Sequence, residues 1–139
     1  MKITILLAAM MSLFILGCDD DDNGDENESD MAGIGAECDT DDDCQQPEDD
    51  AGLAQECLTE FTGGYCGIKD CASNEDCPEG SACVDHDNGS EYCFRVCDNK
   101  PECNANRSED VESNCSANIE FVDDTTPDGT KACVPPSGS

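Results

Sequence analysis

From residue 38 onward the chain carries twelve cysteines that divide without remainder into three groups of four, each opening with the same Cys-x5-Cys spacing. The groups are Cys38, Cys44, Cys57 and Cys66; Cys71, Cys77, Cys83 and Cys93; and Cys97, Cys103, Cys115 and Cys133. An even set of cysteines at repeating spacings reads as a disulfide framework when the chain is otherwise poor in core-forming residues. This chain is: it has no Trp, two Tyr and four Phe, and one of those Phe falls in the first fourteen residues. Its 34 acidic residues against six basic ones leave a formal charge of −28, a self-repulsion that would expand an uncrosslinked chain. Closing a loop of about 15 residues stabilises by roughly 3 kcal/mol on the loop-entropy account, so two bridges can hold a unit of about thirty residues that has little core of its own.

Local signals give each unit the same plan. Two residues after the first cysteine stands a helix-capping residue, and three residues later an acid: Thr40 with Asp43, Ser73 with Asp76, Asn99 with Glu102. That is capping-box spacing, and it closes one helical turn between two cysteines; Pro101 suits a first turn, where N–H groups are surplus. Metal ligation by these acids is the competing reading and ranks below their local capping role. Between the third and fourth cysteines, Gly63-Gly64 and Asn88-Gly89 mark hairpin bends. In the third unit Ile119 to Val122 alternates and leads through Thr126-Pro127-Asp128-Gly129 to Lys131, predicting a longer hairpin. Tyr65 and Tyr92 each precede a fourth cysteine and are expected to pack as core against the bridge above or below, a reading that ranks ahead of a ligand-facing aromatic ladder. The expected fold class is small and disulfide-rich: three tandem cystine modules of short helical turn plus β-hairpin, over residues 36–69, 70–95 and 96–139, the last including a C-terminal tail.

Four cysteines allow three pairings. Cysteines flanking one helical turn point apart, whereas the third and fourth lie at the bases of two strands, so each strand can take one. The expectation is alternating pairing: Cys38 with Cys57 and Cys44 with Cys66, Cys71 with Cys83 and Cys77 with Cys93, Cys97 with Cys115 and Cys103 with Cys133.

Cys18 is the odd one out. Met1-Lys2 is followed by fourteen uncharged residues, Ile3 to Leu16, close to the length of an export-signal apolar core and short of the roughly 20 needed to span a bilayer. The segment ends Ile15-Leu16-Gly17-Cys18, which resembles the lipobox of bacterial lipoproteins. The resemblance implies that residues 1–17 are a cleaved lipoprotein signal peptide, that Cys18 takes a diacylglycerol, and that the protein is lipid-anchored in the bacterial cell envelope; a tether long enough to hold the cystine units away from the bilayer favours the outer membrane or cell surface over the periplasmic face of the inner membrane. The resemblance also explains the parity, leaving twelve cysteines for an oxidising compartment.

Residues 18–35 are expected to be a disordered acidic tether. Asp19 to Asp30 contains eight acids in twelve residues, a composition that cannot bury enough apolar surface to order itself. The run has the spacing of an EF-hand calcium loop at Asp19, Asp21, Asn23, Gly24 and Asp30, but Glu26 occupies the aliphatic position and no helix pattern flanks it. The tether reading is preferred, with weak, nonspecific divalent cation binding compatible with it.

The second unit, Cys71-Ala-Ser-Asn-Glu-Asp-Cys77-Pro-Glu-Gly-Ser-Ala-Cys83, resembles the repeats of bacterial surface lipoproteins likened to the N-terminal cysteine-rich region of dickkopf proteins. The other two units share only its cysteine order. The resemblance implies a disulfide-rich extracytoplasmic module and no particular activity.

Chemistry is sparse. His86 is the only histidine; between Asp85 and Asp87 near a hairpin tip it reads as a solvated turn residue before it reads as a metal ligand. Zinc ligation by the cysteines is disfavoured by the wide Cys-x5-Cys spacing and by export, and nucleic acid by the charge. No catalytic residue, metal or cofactor is expected. The expected function is a noncatalytic, lipid-anchored extracytoplasmic binding or structural protein presenting disulfide-stapled loops to a protein or glycan partner. The alternative is an inhibitor or regulator of an exported enzyme such as a protease, because stapled loops lose little entropy on docking.

Overall fold

A computed structural model describes residues 33–45 and 54–138. The signal peptide, Cys18 and the acidic run Asp19 to Asp30 lie outside the described residues.

Each cystine unit is a helical turn bolted across a two-stranded ribbon. In the first unit a 3-10 turn, Asp41–Asp43, precedes strands β1 (Glu56–Cys57) and β2 (Cys66–Gly67). In the second a 3-10 turn, Asn74–Asp76, precedes β3 (Ser81–His86) and β4 (Ser90–Arg95). In the third, helix α1 (Lys100–Cys103) and a 3-10 turn, Glu109–Val111, are followed by β5 (Asn114–Ser116), β6 (Glu120–Phe121) and β7 (Ala132–Val134). The third and fourth cysteines of every unit face one another across an antiparallel pair: Cys57 and Cys66, Cys83 and Cys93, Cys115 and Cys133. Directly opposed residues share a face of the ribbon. From that face each reaches one of the two cysteines that flank the turn, giving six bridges: Cys38–Cys57 and Cys44–Cys66, Cys71–Cys83 and Cys77–Cys93, Cys97–Cys115 and Cys103–Cys133.

The acids of the turns act as caps. The Asp43 carboxylate accepts from the backbone N–H of Asp39 and Thr40, Asp76 from Ala72 and Ser73, and Glu102 from Asp98. These bonds satisfy amides that a single turn leaves unpaired. The Asp43 carboxyl is accordingly held below the usual range by the Asp39 and Thr40 amides.

Two features go beyond the sequence expectation. The tyrosines are core, as expected, but the core is shared between units: Phe61 and Tyr65 of the first unit meet Tyr92 and Phe94 of the second in one cluster completed by Ile34, Leu58, Val84 and Ala132. Phe61 is its hub, with ring centroids 6.2 Å from Tyr65, 5.2 Å from Tyr92 and 5.8 Å from Phe94 in edge-on arrangements. Tyr92 and Phe94 sit on one face of β4 because they are two residues apart, and their rings stack at 5.7 Å. Ile34, in a segment expected to belong to the tether, is only 3% exposed within this core. An isolated unit cannot cover its own aromatics, so the units share them.

The second difference lies in the third unit. Residues 119–122 do not form a hairpin with 131–133. Strand β7 pairs with β5, while β6 crosses to the second unit and adds to β3, setting Phe121 beside Val84 and Glu120 beside Asp85. The sheet order becomes β4-β3-β6. Covering the open edge of β3 satisfies its backbone and lets Ile119 and Phe121 pack against the shared core.

The first and third units are tied by polar contacts. Arg107 donates to the carbonyls of Gly35, Thr62 and Gly64 in the first unit and of Val111 in its own, at 2.8–3.2 Å. Glu37 accepts from the Ser108 amide, which holds its carboxyl below the ordinary range. The C-terminal tail closes the same seam: Thr62 N–H donates to Pro136 and Gly138 N–H to Glu60. Among the described residues no helix is long and apolar enough to cross a membrane.

Arg107→Ala strands four carbonyls that had a charged donor and is expected to cost about 2–4 kcal/mol in denaturant unfolding with the bridges intact. Arg107→Lys should recover little, because one ammonium cannot span the fork. The two hairpin bends predict a contrast of another kind. Gly64 has φ +65°, and a Cβ there would lie 2.1 Å from the Cys38 carbonyl oxygen and within 2.8 Å of both sulfurs of the Cys38–Cys57 bridge. Gly89 has φ +82° and open space around it. Gly64→Ala should therefore prevent oxidative refolding to the native six-bridge species, read as unpaired thiols by mass, whereas Gly89→Ala should refold and lose only about 1–2 kcal/mol.

Candidate functional site: a groove between the second and third units

The displacement of β6 onto the second unit leaves a gap between that unit's hairpin and the β5/β7 ribbon. The gap is an open groove of about 870 Å³. Val84, Asp85, His86, Asp87 and Gly89 form one wall, Asn114, Ser116, Val134 and Pro135 the other, and the crossing segment 117–120 its end. Asn114 and Ser116 alternate along β5, with Asn114 opposite Val134, so they and Val134 project from the same ribbon face.

Its charge is of one sign. Asp85, Asp87 and Glu120 line it, and no Lys or Arg does. Asp85 is opposed on both sides by acids, Glu91 on β4 and Glu120 on β6. Three acids in a row across a sheet repel, because like charges directly opposite one another weaken the pairing. The ion pairs Lys69–Glu60 and Lys100–Glu112 do not touch this row.

His86 differs from the expected solvated turn residue. It is half-buried, its ring edge-on to Phe61 at 5.3 Å and 5.9 Å from Tyr92, and its Nδ1 accepts from the Asn88 amide. The bend beside it spans three residues, and Gly89 alone there has positive φ. Asn88 contributes through its side chain, accepting from Ser90 N–H and donating to the Tyr92 hydroxyl.

The groove acids do not converge on a point. Among the described residues, the sets of three or more ligand atoms lying within 4.8 Å of one another are all cysteine sulfurs. Those sulfurs are bonded in disulfides and are not thiolates.

A second polar cluster caps the aromatic core. The Tyr92 hydroxyl donates to Glu60 at 2.8 Å, and Lys69 donates to the same oxygen at 3.2 Å. Burial would raise the Glu60 carboxyl, but its own amide, Tyr92 and Lys69 outweigh that and hold it below the usual range. The hydrogen bond to Glu60 raises Lys69 correspondingly. This cluster orients Tyr92 and leaves no open site.

Compared with known proteins, the chain matches no family model, no curated sequence and no solved structure.

Of the residues singled out from sequence, the structure brings Asp85, His86 and Asp87 to the groove. Asn114, Ser116, Glu120, Val134 and Pro135 were not foreseen. Their placement depends on β6 leaving its own unit, and only the alternation of Ile119 to Val122 signals a strand there at all.

Tyr65 gives the fold a pH signature. It is fully buried, which pushes its hydroxyl up to about 12 even though the oxygen accepts from the Arg95 amide. A folded-state value raised above the unfolded 10 stabilises the protein fully below pH 10, and that contribution, roughly 2–3 kcal/mol, is lost as pH rises from 10 to about 12. Unfolding free energies measured at pH 8 and pH 11 should show this alkaline loss in the wild-type chain and a smaller one in Tyr65→Phe.

Proposed function

We propose that this protein is a noncatalytic, lipid-anchored binding protein of the bacterial cell envelope. In this reading residues 1–17 are removed on export and a diacylglycerol on Cys18 holds the chain at the membrane, at the outer membrane or cell surface. The acidic tether carries the cystine units away from the bilayer, in the direction its charge favours. The lipobox-like Ile15-Leu16-Gly17-Cys18 supports the anchor. Six disulfides support an oxidising location. The likeness of the second unit to dickkopf-type repeats agrees with an extracytoplasmic module.

The observation that carries the binding role is the groove. Its walls are two disulfide-stapled units that share one core, so the concavity is already formed before a partner arrives and little ordering cost remains at docking.

Mass spectrometry of the mature chain tests the anchor, with a diacylglyceryl adduct expected on an N-terminal Cys18. Cys18→Ser should leave the precursor unprocessed or release the chain from membranes. An unmodified Cys18 in membrane-fractionated protein would sink the anchored reading. For the binding role, cross-linking in the native envelope should give a discrete adduct with the oxidised protein that disappears on reduction. An adduct that survives reduction unchanged would contradict a role for the stapled fold.

A further inference from the structure

We propose that the groove between the second and third units docks an extended, positively charged segment of a partner protein, with lysines or arginines spaced along it and aliphatic residues between them. The inference rests on the binding reading above and names the class of partner. A concave surface with apolar residues in its walls and acids among them selects a ligand that carries both features.

The apolar part comes from the half-buried Ile119 and Val134, with the buried Val84 and Pro135 behind them. Asp85, Asp87 and Glu120 supply the charge, and the cross-strand row Glu91–Asp85–Glu120 continues it over the sheet. That row costs folding stability, because like charges face each other twice with no described cation between them. A ligand with positive charges spaced along its length relieves the repulsion, and the charge complementarity speeds encounter. A single divalent ion fits less well, since these carboxylates do not gather within 4.8 Å as the cystine sulfurs do. An anionic or neutral glycan would add desolvation without relieving the row.

The chain is acidic everywhere, so the test must separate the groove from bulk charge. The probe is a fluorescein-labelled decapeptide alternating lysine and valine, titrated by anisotropy against the oxidised full-length chain in detergent at near-physiological salt. Two triple variants are compared. Asp85→Asn with Asp87→Asn and Glu120→Gln neutralises the groove. Asp39→Asn with Asp42→Asn and Asp124→Asn removes the same charge from exposed positions outside its lining. Intact mass without reduction confirms six bridges in both.

The groove triple should weaken binding by at least about tenfold and the control triple by no more than about twofold. A lysine–serine decapeptide should bind several-fold more weakly than the lysine–valine one. Equal losses from the two triples, equal binding of the two peptides, or no binding by the wild-type chain would each overturn the proposal. Displacement of the peptide by spermine at equal concentration would also overturn it, by assigning the site to small polycations. If the native-envelope adduct persists in the groove triple, this inference falls while the binding role stands; if the wild-type chain gives no adduct, the binding role itself fails.

Discussion

A net charge of −28 sets every part of this chain against every other, and the fold is arranged around that repulsion. What joins its parts is covalent or uncharged, sets a carboxylate against backbone amides, as Glu37 does with Ser108, or uses one of the six basic residues. Each of these works at a different level. Disulfides act inside units, where two bridges per unit fix a turn over a ribbon. Aromatic contact acts between the first and second units, where Phe61, Tyr65, Tyr92 and Phe94 are buried together. Arg107 acts between the first and third, where its fork reaches backbone carbonyls rather than carboxylates. That choice of acceptor matters, because a partly buried guanidinium pairs four neutral groups at once and so organises backbone from two units.

Much of the interior of each unit was legible in the sequence because its determinants are local. Cap and acid stand three residues apart and can be read without knowing the fold, and they occur as the hydrogen bonds of Asp43, Asp76 and Glu102. Gly63 and Gly64 both adopt positive φ at the first hairpin. Asn88 is a partial case: the dipeptide marks the bend, but the chain uses the Asn side chain where a two-residue turn would use its backbone. The small disulfide-rich class follows from such signals together with the cysteine count.

What could not be read is how units meet. A tyrosine before a cysteine says that a buried ring is needed and nothing about whose bridge or ring will bury it. Four aromatic side chains divided among separate modules would each remain half wet; gathered together they exclude water from one another, so sharing wins. The same reasoning accounts for Ile34, whose acidic upstream neighbours disguise a core residue. For β6 the competition is between completing its own unit's hairpin and covering the edge of β3. The second option buries Phe121 against Val84 and extends a six-residue ladder, and no pattern within residues 115–133 encodes that comparison.

The groove is the consequence of that choice. Had β6 stayed with β7, the third unit would be a closed ribbon and the hairpin of the second would stand free, with no wall facing Asp85. Lending a strand to its neighbour opens space on one side and also creates the like-charge row, because Glu120 arrives beside an Asp85 that already faces Glu91. Cross-strand pairing alone would favour a basic residue at either position, since opposite charges directly opposed stabilise the pair and like charges weaken it. The acids sit where the crossing strand, the hairpin and the concavity meet. The repulsion at that junction is therefore confined to the one surface on which a cationic partner would remove it.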